Sequence, residues 1–124
     1  MHVKMPSLTV STNINLNHID ISDILSALIS TVSQIMERPQ SYVMVGLEGS
    51  IPISFGGSEE PAAYAELVSI GALNPDINNK LSAALSFILE TKLSIPKSRF
   101  FLKFYDIEGY NCGLNGSIMV MESN

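Results

Sequence analysis

Pro6 is the residue whose chemistry depends most on where the chain begins. It follows Met5 and heads the segment Pro6-Ser7-Leu8-Thr9-Val10-Ser11-Thr12-Asn13. At an N-terminus, proline carries a secondary amine. An apolar pocket with cations nearby lowers the pKa of such an amine toward neutrality, where it can abstract protons. Inside a chain, the same residue is an amide that starts a strand. Met1 to Lys4 stand in front of Pro6, which favours the strand-start reading, and a chain beginning at Met5 reverses it.

The other reactive residue types point to less chemistry. Cys112 is the only cysteine, so neither an intrachain disulfide nor a cysteine-based metal site can form. Next to Gly113 it reads as a small buried hydrophobe before it reads as a nucleophile. His2 and His18 are too few and too far apart for a metal cluster. Gly56-Gly57-Ser58 lacks the Gly-Lys-Ser/Thr ending of a phosphate loop, and Glu59-Glu60 would set two negative charges beside any phosphate, so the run is read as a turn. No Gly-x-Ser-x-Gly elbow is present, and nucleophilic hydrolysis is not expected. Asn115-Gly116-Ser117 matches a glycosylation sequon but also reads as a turn.

The chain around these residues has 124 residues, 46% hydrophobic and 15% charged, with mean hydropathy +0.26. That supports one domain over residues 1–124, with residues 1–5 as an N-terminal extension and 120–124 as a tail. Seven basic residues against twelve acidic ones give a net charge of −5, which repels a phosphate backbone and argues against nucleic acid as a partner. The N-terminus lacks the apolar stretch of a signal peptide, and no run of apolar residues is long enough to span a bilayer. A soluble, cytoplasmic protein without a membrane partner is expected.

Internal repetition carries most of the fold information. Laid over itself so that Pro39 falls on Pro96, the sequence also puts Ile24, Leu28 and Val32 on Leu81, Leu85 and Leu89, and Val43, Val45 and Leu47 on Phe100, Leu102 and Phe104. In the first half, Ile21, Ile24, Leu25, Leu28, Val32, Ile35 and Met36 draw one stripe along a helix over roughly residues 20 to 36, which Arg38-Pro39 stops. In the second half, Asn74-Pro75 is a helix start, and Ile77, Leu81, Ala84, Leu85, Ile88 and Leu89 supply the stripe to about Lys92.

Tyr42–Leu47 and Phe100–Tyr105 read as strands covered on both faces. Residues 62–70 would be helix on alanine propensity, but the repeat requires a strand there. The result is an α/β (α+β) fold of two β-α-β units, with a four-stranded mixed sheet and both helices on one face. Because these strands read as apolar on both sides, the bare face needs a covering surface, most simply another copy of the chain, and an oligomer is expected.

Several segments together resemble the macrophage migration inhibitory factor and D-dopachrome tautomerase family, in its plant-type form, from Met5 to about Met119. They are Met5-Pro6 at a strand start, Arg38-Pro39-Gln40-Ser41-Tyr42, Ser54-Phe55-Gly56-Gly57-Ser58-Glu59-Glu60-Pro61, Ser69-Ile70-Gly71 and Asn111-Cys112-Gly113-Leu114-Asn115-Gly116. The resemblance implies a homotrimer with a central barrel and keto–enol tautomerisation of phenylpyruvate-like and dopachrome-like substrates between subunits, with no metal or organic cofactor. In that chemistry an N-terminal proline takes a proton beside the carbonyl and returns it elsewhere on the substrate.

Pro6 then matches the catalytic proline. Arg38 stands where a lysine usually binds the substrate carboxylate, and Ile70 where a backbone amide contacts the substrate. Phe101 replaces a tyrosine contributed by the neighbouring subunit, Lys103 replaces an asparagine, and Cys112 takes an apolar wall position. Arginine can still hold a carboxylate through a bidentate fork. Loss of the tyrosine hydroxyl, and of the aromatic rim residues replaced by Leu114 and Met119, implies weakened or altered selectivity. Ala62 and Ala65 replace the animal cytokine's paired cysteines, so thiol oxidoreductase activity is not expected. Secretion without a signal peptide occurs in the family. The leading expectation is a cofactor-independent tautomerase acting on a small aromatic keto or enol acid. The alternative is a non-catalytic, cytokine-like trimer acting through a protein receptor.

Overall fold

The computed structural model describes residues 5–119. The C-terminal tail and, apart from Met5, the N-terminal extension lie outside the described residues, as does His2. The chain runs β1 (Ser7–Thr12), α1 (Ile21–Met36), β2 (Met44–Glu48), β3 (Ala63–Ser69), α2 (Pro75–Leu93) and β4 (Phe100–Asp106). A short hairpin of β5 (Gly113–Leu114) and β6 (Ser117–Ile118) follows. The main sheet has the order β2-β1-β3-β4, parallel within each half and antiparallel where β1 meets β3. This palindromic order is what two copies of one β-α-β unit give when a pseudo-twofold axis passes between β1 and β3.

Local sequence accounts for the element ends. Asp20 caps α1 by accepting from the Asp23 amide at 3.1 Å, and Asn74 caps α2 by accepting from Ile77 at 2.9 Å with Pro75 in the first turn. Both helices end on a non-glycine residue in the left-handed region, Glu37 (φ 53°) and Ser94 (φ 56°). The break after α1 is therefore made at Glu37. Pro39, expected to stop the helix, only continues the chain in an extended conformation.

The helices lie on one face. Ile24, Leu28, Val32 and Met36 of α1 and Leu81, Leu85, Ile88, Leu89 and Leu93 of α2 close over Leu8, Val10, Ala63, Ala65 and Leu67. Each fully buried leucine or isoleucine contributes roughly 1.5–3 kcal/mol. The tertiary context explains why an alanine-rich segment is a strand. Ala63 and Ala65 are buried beneath the helices, where small side chains let the helices approach the sheet, and burial outweighs the helix propensity of alanine.

The opposite face corrects the expectation of strands apolar on both sides. β1 presents Ser7, Thr9 and Ser11 there, and β3 presents Tyr64, Glu66 and Val68. The apolar exposure comes from the outer strands, at Met44 on β2 and at Phe101 and Tyr105 on β4. The face is mixed, polar along β1 and aromatic along β4.

The expected turns are present. Gly56 (φ 61°) and Gly57 (φ 80°) turn the chain between Phe55 and Ser58, and Asn115 (φ 61°) and Gly116 (φ 83°) connect β5 to β6. Two successive positive φ values match the backbone twist of a tight hairpin, which favours Asn-Gly at the second site.

Candidate active site

Sheet topology brings four of the expected site positions to one end of the molecule. Pro6 immediately precedes β1, is buried, and accepts a hydrogen bond from the Met44 amide at 3.1 Å at the start of parallel β2. The α1–β2 connection carrying Arg38 arrives at that same end. β3 runs antiparallel to β1, with Val68 opposite Ser7, so it ends beside Pro6 and delivers Ile70 there. β4 runs parallel to β3 and ends with Asp106 opposite Ser69, which leads the chain through a 3₁₀ turn to Cys112.

The backbone at this end is held by specific bonds. Around buried Ile70, the Ser69 hydroxyl donates to the Gly71 carbonyl at 2.7 Å, the Gly71 amide donates to Asp106 Oδ1 at 2.9 Å, and the Ile107 amide donates to the Ser69 carbonyl at 2.9 Å. The Arg38 amide donates to the Ser33 carbonyl at 3.0 Å, and the Ser33 hydroxyl donates back to the Arg38 carbonyl. The Arg38 guanidinium is partly exposed and donates to the neighbouring Glu37 carbonyl at 2.9 Å, which leaves further donors of its planar fork for a ligand. Cys112 is only half-buried, not the enclosed hydrophobe expected. It caps a 3₁₀ turn, with its carbonyl accepting from the Met119 amide at 2.8 Å.

Phe101 and Lys103 do not join this group. Phe101 pairs with Tyr64, which lies opposite Ser11, five residues along β1 from Pro6 or about 16 Å of extended chain. Lys103 lies across from Glu66, itself opposite Thr9. Both side chains stand on the helix-free face, whereas Pro6 shares the alternation of Leu8 and Val10 on the helix side. One chain therefore cannot bring Phe101 or Lys103 to its own Pro6.

On that face they form a cluster that sequence reading did not single out. Phe101 stacks on Tyr64, with ring centroids 6.0 Å apart and an interplanar angle of 18°. Lys103 Nζ lies 5.8 Å from the Tyr64 ring centroid and 5.9 Å from that of Tyr105. The Tyr64 hydroxyl donates to Glu66 Oε2. That hydrogen bond, followed by desolvation and the Glu66 charge, raises the Tyr64 pKa above its ordinary 10.0. Hydrogen bonding with Tyr105, then the charges of Tyr105 and Tyr64, raises Lys103 above 10.5. The available signal was the alternation of β3 combined with its parallel register to β4, which puts Tyr64, Glu66, Phe101, Lys103 and Tyr105 on one surface.

Fold and site together define a small mixed-sheet protein of two β-α-β repeats with a proline at the head of its first strand. The model of the family "Macrophage migration inhibitory factor (MIF)" matches residues 5–120, and the chain belongs to that family. It is 41% identical to the macrophage migration inhibitory factor homolog of Trichinella spiralis over 113 residues, which are 91% of this chain and 98% of that one. The solved structure of the macrophage migration inhibitory factor from Trichinella spiralis superposes with a TM-score of 0.85, covering 91% of this chain and 99% of that chain at 40% identity. The homologue from Prochlorococcus marinus gives 0.87, covering 91% and 98% at 29% identity.

Proposed function

We propose that this protein is a cofactor-independent keto–enol tautomerase of phenylpyruvate-like and dopachrome-like acids, assembled as a homotrimer, with Pro6 as general base once Met5 has been removed. The carrying observation is the convergence of Pro6, Arg38 and Ile70 at one end of the sheet, within a family match that begins at Met5. A free Pro6 amine takes the proton from the carbon beside the carbonyl, and the carbonyl oxygen gains a proton to become the enol. The reverse sequence returns the ketone, and no electrons are gained or lost. Arg38 holds the substrate carboxylate through its remaining guanidinium donors. Phe101 and Lys103, unable to reach Pro6 within one chain, complete the pocket from a second copy, as aromatic wall and second cation. Lys103 beside the anionic substrate and Arg38 at its carboxylate also favour the neutral form of the proline amine.

Intact mass and N-terminal sequencing of the protein from its native source, with a phenylpyruvate tautomerase assay on the same material, test this reading. A proline N-terminus, with activity that falls on the order of 10²–10⁴-fold in Pro6→Gly, supports it. A retained Met1, or a free Pro6 without turnover, overturns it and directs function to partner contacts of the assembled protein.

A further inference from the structure

Arg99 makes more side-chain hydrogen bonds than any other arginine or lysine among the described residues, and none of them goes to Pro6, Arg38, Ile70 or Cys112. Its Nε donates to the Pro61 carbonyl at 2.9 Å, one terminal nitrogen to the Phe55 carbonyl at 3.1 Å, and the other to the carbonyls of Ser58 at 3.1 Å and Glu60 at 3.0 Å. The guanidinium also lies over the Phe55 ring, 5.3 Å from its centroid. Four of its five N–H donors therefore hold one loop, the β2–β3 connection, across some forty residues of sequence. All four hydrogen-bond acceptors are backbone carbonyls, and the Phe55 ring is the loop side chain that the guanidinium covers.

The position of this clamp gives it a consequence beyond stability. Pro61 lies just before β3 and Arg99 just before β4, and the parallel ladder between those strands opens with Ala63 beside Phe100 and continues with Tyr64 beside Phe101. The bond from Arg99 to Pro61 is thus a side-chain rung set ahead of the first backbone rungs, and it fixes how the two strand starts sit against each other. Tyr64 and Phe101 stack immediately beyond it, and Phe101 is 52% exposed with its outer face free.

We infer that Arg99 is a positioning residue: by tying the Phe55–Pro61 loop to the start of β4, it holds the stacked Tyr64–Phe101 pair at the angle needed to wall the substrate pocket of an adjacent copy. The inference rests on the tautomerase reading, in which Phe101 meets substrate across the subunit contact. It assigns the aromatic-ring selectivity of that pocket to a residue that never touches substrate. Lysine cannot replace it, since a single ammonium cannot satisfy carbonyls arranged around a planar fork.

The test is a double-mutant cycle on the trimer of chains that begin at Pro6, using phenylpyruvate as substrate and measuring KM, kcat and the phenylpyruvate Kd by calorimetry. Arg99→Lys is expected to raise KM and Kd on the order of ten-fold with kcat per folded subunit kept, because a displaced wall weakens ground-state and transition-state binding alike. In a Phe101→Ala background the same substitution adds nothing further. Gly57→Ala, which forces a side chain into a positive-φ position and shifts the carbonyls Arg99 grips while leaving the arginine in place, should reproduce the KM rise. Effects of Arg99→Lys and Phe101→Ala on KM that simply multiply, or a fall in kcat with KM unmoved, overturn the assignment and leave a purely structural clamp. A parent protein that neither binds nor turns over phenylpyruvate overturns the tautomerase reading, and this assignment with it. A parent that does both while Arg99→Lys leaves KM unchanged overturns the assignment alone.

Discussion

The turns that follow the two helices share a backbone and differ in side chains. After α1 the chain passes through left-handed Glu37, extended Pro39 (φ −56°, ψ 145°) and a 3₁₀ turn at Gln40–Tyr42. After α2 it passes through left-handed Ser94, extended Pro96 (φ −62°, ψ 142°) and a 3₁₀ turn at Lys97–Arg99. At the position after the left-handed residue, the first turn carries Arg38, partly exposed at the Pro6 end, and the second carries Ile95, fully buried in the core. At the last position of the 3₁₀ turn, the first carries Tyr42 and the second Arg99, the loop clamp. The repeat specifies the path of the chain, and single substitutions on that path decide whether the same position carries a partly exposed cation, a core plug or a clamp.

Three changes would break or sharpen this contrast. Ile95→Ala should cost about 2–5 kcal/mol, read as a lowered denaturation midpoint, because it leaves a cavity where α2, the sheet and the turn meet. Arg99→Ala should cost about 2–3 kcal/mol, since it removes a charged donor from several carbonyls at once, and hydrogen exchange should rise in the Phe55–Pro61 segment before the rest of the molecule. Arg38→Ala, at the position equivalent to Ile95, should change stability by no more than about 0.5 kcal/mol but raise KM for an anionic enol substrate roughly ten-fold or more. An unchanged KM would remove Arg38 from the site and leave the two turns functionally alike.

The smallest effect concerns the helix-free face. Because the Tyr64 pKa is raised in the folded protein, its contribution to stability is fully present below the ordinary tyrosine value and is lost as pH rises through the raised one. Glu66→Gln should bring the Tyr64 titration, followed by phenolate absorbance, back toward 10.0 and shrink this loss of stability at high pH.

Legibility in the sequence followed the range of the interactions. Asn74-Pro75, Asn115-Gly116 and Gly56-Gly57 are local signals, and each lies where local backbone preference puts it. The Ala-rich segment at β3 was legible only through the repeat, because its own propensity points the other way and only burial beneath two helices reverses it. The polar inner strand β1 was not foreseen on the helix-free face, since a run of Ser and Thr alternating with Leu and Val declares its two faces only when the helices choose one of them. In the candidate site, residue chemistry drew attention to Pro6 and Cys112, and Arg38, Ile70, Phe101 and Lys103 came only from the resemblance to the family. The resemblance already tied the Phe101 position to a neighbouring subunit, but only strand register puts Lys103 with it on the face turned away from the other four.

The sequence by itself determined the two-fold repeat, the helix stripes, the turns and the residue types able to do chemistry, all of which rest on neighbours a few residues apart or on periodicity. Tertiary structure alone decided that β1 and β3 meet antiparallel, so that a strand start and a strand end bring Pro6 and Ile70 together. It also decided that Phe101 and Lys103 lie on the opposite face, and that Arg99 reaches carbonyls some forty residues away. Those outcomes depend on strand order and register, which are set by burying two helices on one face of the sheet and not by any local preference of the residues concerned.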